Sequence, residues 1–176
     1  MKDGDQIIAF FPCVRFEDQI IISFKGENDG MKNWTDQQKL KYDLKLHEEL
    51  HRLYCLITKL ALVCIERNIP LIIENPKGPA MHYLTRYWCL KPSIIDQDRR
   101  ERGDWCTKPT QYWFINRKPS NNLFFDPIPQ NAIKLKDANV SMKKEYYVHT
   151  KAKNRQIARS MIHPDYANRF IREFII

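Results

Sequence analysis

The chain has 176 residues, 43% of them hydrophobic, and a formal net charge of +8; that fits one globular domain with a real core and favours a polyanionic partner such as DNA. Its five cysteines (Cys13, Cys55, Cys64, Cys89 and Cys106) are odd in number and form no Cys-x-x-Cys pair, which argues against a disulfide framework and against a structural zinc site. The polar start MKDGDQ and the lack of a long apolar run argue against a signal peptide or a membrane span, so a reducing, cytoplasmic protein with no membrane partner and no metal is expected.

In chain order, Ile7–Phe11 is an unbroken apolar run, as in a strand buried on both faces, and it ends on Pro12-Cys13. Residues 14–34 read as a long loop, in which Ile20–Ser23 suggests a short strand. Thr35-Asp-Gln-Gln38 matches a capping box, and Leu46, Leu50, Leu53, Ile57, Leu60 and Cys64 recur at helical spacing, so one amphipathic helix is expected from Thr35 to about Asn68. On this stripe Cys55 and Cys64 are ordinary packing residues. Pro70–Glu74 is a second buried strand ending at Asn75-Pro76-Lys77-Gly78. Strand, helix and strand form a βαβ unit with parallel strands, and such a unit places its chemistry beyond the carboxyl ends of the strands, where Cys13 and Glu74 stand.

Met81–Leu90 reads as a short helix, Ser93–Gln97 as a third strand and Thr110–Asn116 as a fourth, aromatic one. Residues 117–140 are loop-rich. The tail, His163–Ile175, is a final helix with Pro164 in its first turn and Ala167, Phe170, Ile171 and Phe174 on one face. Residues 130–176 hold ten Lys/Arg against four acids, and so carry +6 of the net charge. Charge alone leaves both a solvated basic surface and a nucleic-acid contact open. The division expected is a core over 1–129 and a basic segment with its helix, 130–176, packing on it within a single domain.

Taken singly, a cysteine after a strand, a carboxylate at a strand end and a Tyr-Trp-Phe run are weak signals. Their order is more specific. Pro12-Cys13, then Glu74-Asn75-Pro76, then Cys106-Thr-Lys-Pro-Thr-Gln-Tyr-Trp-Phe-Ile-Asn116 resembles the DNA (cytosine-5) methyltransferases, in particular their divergent phage-type members. Arg155–Ile171 is similar to the carboxyl-terminal helix of those proteins, and the likeness runs from about Gln6 onward. The resemblance implies a partial Rossmann-like, methyltransferase-type α/β fold with a mostly parallel sheet and flanking helices. It implies S-adenosylmethionine as methyl donor and, for a phage-encoded chain, the bacterial host cytoplasm. It makes Cys13 the nucleophile that adds to carbon 6 of cytosine. Glu74 becomes the acid at the base ring nitrogen, with its pKa expected to rise on burial. Pro12, Arg15, Asn75, Lys108, Thr110 and Gln111 become substrate-binding residues. The 14–34 loop would close over a flipped base, while Lys143, Lys144, Lys151, Lys153, Arg155 and Arg159 grip the nucleic-acid backbone.

The chain departs from the family pattern in three places. Only five residues precede the extended stretch that begins at Gln6, and the glycines at 4, 26, 30, 78 and 103 form no Gly-x-Gly. The amino-terminal motif that binds S-adenosylmethionine in the family is therefore expected to be missing from this truncated catalytic core. Pro76 stands where the family has valine, and Lys108 and Gln111 where it has paired arginines; Arg99, Arg100 and Arg102 lie upstream at a different spacing. In the family sheet the Pro-Cys strand lies beside the cofactor-binding strand. Without that neighbour, strand 6–11 presents an open apolar edge, and a homodimer or a partner chain is expected to pair there. Three functions stay open: a methyltransferase-like enzyme that takes its donor site from another chain, a catalytically inactive methyltransferase-derived factor that binds DNA or protein, such as a phage anti-defence inhibitor, and a basic α/β domain whose motifs are coincidental.

Overall fold

Four strands form an open mixed sheet in the order β1-β2-β4-β3: β1 (Ile7–Phe10), β2 (Leu71–Pro76), β3 (Ile94–Asp96) and β4 (Thr110–Ile115). The computed structural model describes residues 5–16, 21–77, 82–104, 108–119 and 161–175. The helices are α1 (Ile21–Phe24), α2 (Asp36–Glu66), α3 (Tyr83–Tyr87) and α4 (Pro164–Phe174), with 3-10 turns at Cys13–Arg15, Asp29–Met31 and Arg99–Arg102. The chain divides into two compact units, Met1–Ile94 with Gln111–Lys118 and Ile95–Thr110 with Pro119–Ile176. The boundary read at 129/130 lies outside the described residues.

In the first unit β1 and β2 are parallel, in register Ile7↔Leu71, Ile8↔Ile72, Ala9↔Ile73 and Phe10↔Glu74. The crossover between them is α2, and its start is chemically fixed. Thr35 Oγ1 accepts from the Gln38 N–H at 3.3 Å while Gln38 Oε1 accepts from the Thr35 N–H at 2.8 Å, the expected capping box. Leu46, Leu50, Ile57, Ala61 and Cys64 are buried along one face, and Leu50, Ile57, Ala61 and Cys64 pack with Leu71, Ile73, Trp113 and Ile115 of the sheet. The two indoles of this core keep hydrogen bonds: Trp88 donates to Thr58 Oγ1 at 3.1 Å and Trp113 to the Leu90 carbonyl at 3.2 Å. The far end of α2 is tied down by Asn116, itself at φ +55, whose Nδ2 donates to the carbonyls of Cys64 and Ile69 at 2.6 and 3.2 Å.

Several boundaries differ from the sequence reading. The helix stops at Glu66, because Asn68 turns to φ +52 and the Ile69 N–H reaches back to the Cys64 carbonyl at 2.8 Å. The β1 ladder ends at Phe10, and β2 continues through Asn75 and Pro76. Ile20–Ser23 suggested a strand, but Ile21–Phe24 is a helical turn. It is closed by the Glu27 N–H to the Ile22 carbonyl at 2.9 Å and by Gly26 at φ +69. A β-branched run has strand propensity but forms a strand only where a partner ladder is offered. The sheet is mixed rather than parallel throughout, with β1 and β2 its described parallel pair. Parallel neighbours need a crossover of a dozen or more residues, usually helical. Beyond β2 the described helical pieces up to β4 are the five residues of α3 and the four of the Arg99–Arg102 turn.

The second unit is built on charge. Arg102 Nη1 meets Asp96 Oδ1 at 2.6 Å, and the Tyr166 hydroxyl of α4 donates to Asp96 Oδ2 at 3.0 Å. Arg99 pairs with Asp104 and lays its guanidinium 4.3 Å from the centre of the Tyr166 ring. Asp96, Arg99, Asp104 and Tyr166 are all buried. Gly103, at φ +92, closes the turn, and Pro164 opens α4 as expected. On that helix Tyr166 and Phe174 are buried and Ile171 is exposed, so the inward face is centred on Tyr166, Phe170 and Phe174.

Candidate functional site

The parallel register brings Pro12-Cys13 and Glu74-Asn75 to one end of the sheet. Phe10 is the Cα partner of Glu74, and Cys13 follows three residues later as the first residue of the 3-10 turn. That turn is held from two sides. Arg15 pairs with Glu49 of α2, Nε at 2.6 Å and Nη2 at 2.5 Å from the same carboxylate oxygen. The Tyr83 N–H of α3 donates to the Phe16 carbonyl at 2.7 Å, and Phe16 is buried. Cys13 is half-buried, Pro12 exposed and Glu74 buried.

The pleat separates neighbours along β2. Leu71, Ile73 and Asn75 lie on one face, where Leu71 and Ile73 join the core with α2. Ile72 and Glu74 lie on the other. Glu74 and the turn beginning at Cys13 therefore share an end of the sheet, with Glu74 on the face away from α2.

On the α2 face a buried polar relay joins three elements. Asn75 Nδ2 donates to the Phe11 carbonyl at 3.0 Å, two residues before Cys13. The amide oxygen of Asn75 is thereby turned to His82, 2.7 Å from Nε2. A carbonyl only accepts, so Nε2 carries the proton, and Asn75 fixes the tautomer of a buried histidine. Thr85 Oγ1 stands 3.4 Å from His82 Nδ1 and donates to Gln111 Oε1 at 2.5 Å, while Gln111 Nε2 donates to the Pro76 carbonyl at 3.3 Å. Asn75 and Gln111 are fully buried. His82 and Thr85 escape the sequence reading. Met81–Leu90 carries a helical pattern, and nothing in that pattern shows that its first histidine faces an asparagine of β2.

Of the residues singled out from sequence, Pro12, Cys13, Arg15, Glu74, Asn75 and Gln111 belong to the first unit. Arg15, Asn75 and Gln111 have their polar groups engaged by Glu49, by Phe11 and His82, and by Thr85 and Pro76 respectively. Lys108 and Thr110 belong to the second unit, where Thr110 Oγ1 donates to the Lys108 carbonyl at 2.8 Å. Lys143, Lys144, Lys151, Lys153, Arg155 and Arg159 lie outside the described residues, as do Cys106 and part of the 14–34 loop. Arg99 and Arg102 are committed to Asp104 and Asp96, and Arg100 to Asp98 at 2.6 Å.

Gly26, Gly30 and Gly103 are the described glycines, and none stands where a β-strand passes into a helix. Among the described residues β1 is an edge strand, with Phe10 63% exposed, so the edge expected from the sequence is there. No cluster of three His, Cys, Asp or Glu able to hold a metal ion occurs among the described residues, and no described helix is long and apolar enough to cross a membrane. Comparison with protein-family models, with curated proteins and with solved structures finds no match.

Proposed function

We propose that the chain acts on cytosine in DNA as a cytosine-5 methyltransferase-like protein, with Cys13 as nucleophile, Glu74 as the acid at the ring nitrogen, and the methyl-donor site supplied by a partner chain along β1. One observation carries the reading: the parallel register of β1 and β2, which brings a thiol and a buried carboxyl from distant parts of the sequence to one end of one sheet. The strands bearing the three motifs are also contiguous. β4, with Gln111, pairs beside β2 although β3 precedes it in sequence.

No methyl-transfer step is assigned to this chain. Its own residues account for the activation step. The Cys13 thiolate adds to carbon 6, the C5–C6 π bond breaks, and the electron pair moves to carbon 5 and into the ring, where Glu74 hydrogen-bonds or protonates the ring nitrogen. Carbon 5 then takes a proton from water. Loss of a carbon-5 proton, expulsion of the thiolate and return to Glu74 of any proton it gave to the ring nitrogen restore the base. With Glu74 on the face away from α2, a ring reaching both groups sits across the end of the sheet.

A second reading rests on a separate observation. Arg15, Asn75 and Gln111 are already engaged within the chain, as in a methyltransferase-derived DNA- or protein-binding factor, such as an anti-defence inhibitor, that keeps the scaffold without the reaction. The test is a duplex with 2-pyrimidinone in place of cytosine, a ring more electrophilic at carbon 6. Peptide mass mapping should find a covalent adduct on Cys13, lost in Cys13→Ser. DNA binding with no adduct would favour the second reading, and an adduct on another cysteine would overturn the first.

A further inference from the structure

A cleft opens between α2 and α3, lined by His47, Leu50, His51 and Tyr54 from one wall and Tyr83 and Tyr87 from the other, enclosing about 420 Å³. That volume falls in the range of small-ligand sites. Its chemistry is unusual for a surface groove, because five of the six side chains are rings. Tyr83 and Tyr87 lie one helical turn apart with centroids 4.8 Å apart, and Arg86 stands 5.7 Å from the centre of the Tyr87 ring. Tyr87 is 55% exposed. On the opposite wall His47 contacts the Phe24 ring at 4.9 Å and lies 3.5 Å from Asp43, while His51 Nε2 lies 3.5 Å from Cys55 Sγ. These contacts orient the imidazoles. None of the six lining residues is acidic.

We propose that this cleft binds an unstacked nucleobase. Flat rings on both walls offer stacking surfaces, and stacking accepts any base because every base has a π-face. The phenol hydroxyls and imidazole nitrogens supply donors and acceptors for a base edge, and Arg86 at Tyr87 supplies a cation for the attached phosphate or for the stacked ring. The proposal is tested without the Cys13 chemistry.

The test uses the full chain carrying Cys13→Ala. Binding of fluorescein-labelled single-stranded oligothymidylate is followed by anisotropy, with thymidine monophosphate as competitor. Tyr87→Leu keeps apolar volume at an exposed position and should weaken oligonucleotide binding about tenfold, since one stacked base contributes roughly 1–3 kcal/mol. Tyr83→Leu combined with Tyr87→Leu should weaken it further, with an unchanged thermal midpoint for the single variant confirming the fold. Competition by the mononucleotide would mark the cleft as a site for a single nucleotide. Binding of the oligonucleotide without such competition would mark a polynucleotide site. Either result supports the cleft. Equal oligonucleotide affinity in the parent and in both tyrosine variants, or no binding by the parent, would overturn it.

Discussion

Each compact unit buries a polar network, and the two networks are made of different chemistry. In the first unit the Asn75–His82–Thr85–Gln111 relay is neutral, with each donor aimed at a carbonyl or an amide oxygen. In the second, Asp96, Arg99, Arg102 and Asp104 meet as ions around the Tyr166 ring. A neutral relay loses a hydrogen bond or two when one member is removed, and each loss is modest. An ionic cluster responds differently, because removing one partner leaves the other charge buried without compensation. The first arrangement suits a place where strand ends must be held in register beside a candidate site. The second suits a clasp that fastens α4 to an arginine-rich turn.

The contrast is sharpest at Arg99. Arg99→Met should destabilise the protein by about 3–5 kcal/mol, because Asp104 stays buried without its counter-charge; urea unfolding followed by circular dichroism reads this. Asn75→Ala in the relay should have a smaller effect, about 1–3 kcal/mol by the same measurement, since it strips hydrogen bonds from the Phe11 carbonyl and from His82. If the two losses were equal, the distinction between relay and clasp would fail. Gly103→Ala comes next, at roughly 1–2 kcal/mol. Its φ of +92 disfavours any Cβ, and the added carbon would stand 3.2 Å from the Asp165 Cβ.

The smallest effects are dependences on pH, and they run in opposite directions in the two units. Burial raises the Asp96 carboxyl above its ordinary 3.8, against the pull of Arg102, Tyr166 and Arg99. The folded state therefore holds that proton more tightly. Its stabilising contribution is full below 3.8 and is lost as pH rises through the raised value. The Arg15 hydrogen bond lowers the Glu49 carboxyl below its ordinary 4.5, so its contribution is full above 4.5 and is lost as pH falls through the lowered value. The stability difference between the parent chain and Asp96→Asn should thus grow as pH falls toward 3.8. The difference from Glu49→Gln should grow as pH rises toward 4.5. Denaturant titrations across this range check both signs.

What the sequence made legible was local or periodic. The Thr35–Gln38 capping box, the Leu46–Cys64 stripe and the parallel pairing implied by strand, long helix and strand all depend on spacing, and all are in the fold. The Ile20–Ser23 misreading shows the limit of propensity where no ladder is offered. The long-range polar pairs were illegible for a different reason. Arg15 finds Glu49 across 34 positions and Tyr166 finds Asp96 across 70; no local pattern encodes either meeting. Cys13 and Glu74 were placed at one strand end because topology alone puts them there. The turn of Glu74 onto the face away from α2 emerges only when the core shows which way the pleat runs.

The proposed activation of cytosine by Cys13 would have a signature that needs no methyl donor, since addition at carbon 6 labilises the hydrogen at carbon 5. Cytosine-containing DNA incubated with the chain in deuterated water should gain deuterium at carbon 5, with the exchange abolished in Cys13→Ser and strongly slowed in Glu74→Gln. Exchange that persists in Cys13→Ser, or no exchange by a chain that demonstrably binds the DNA, would contradict it.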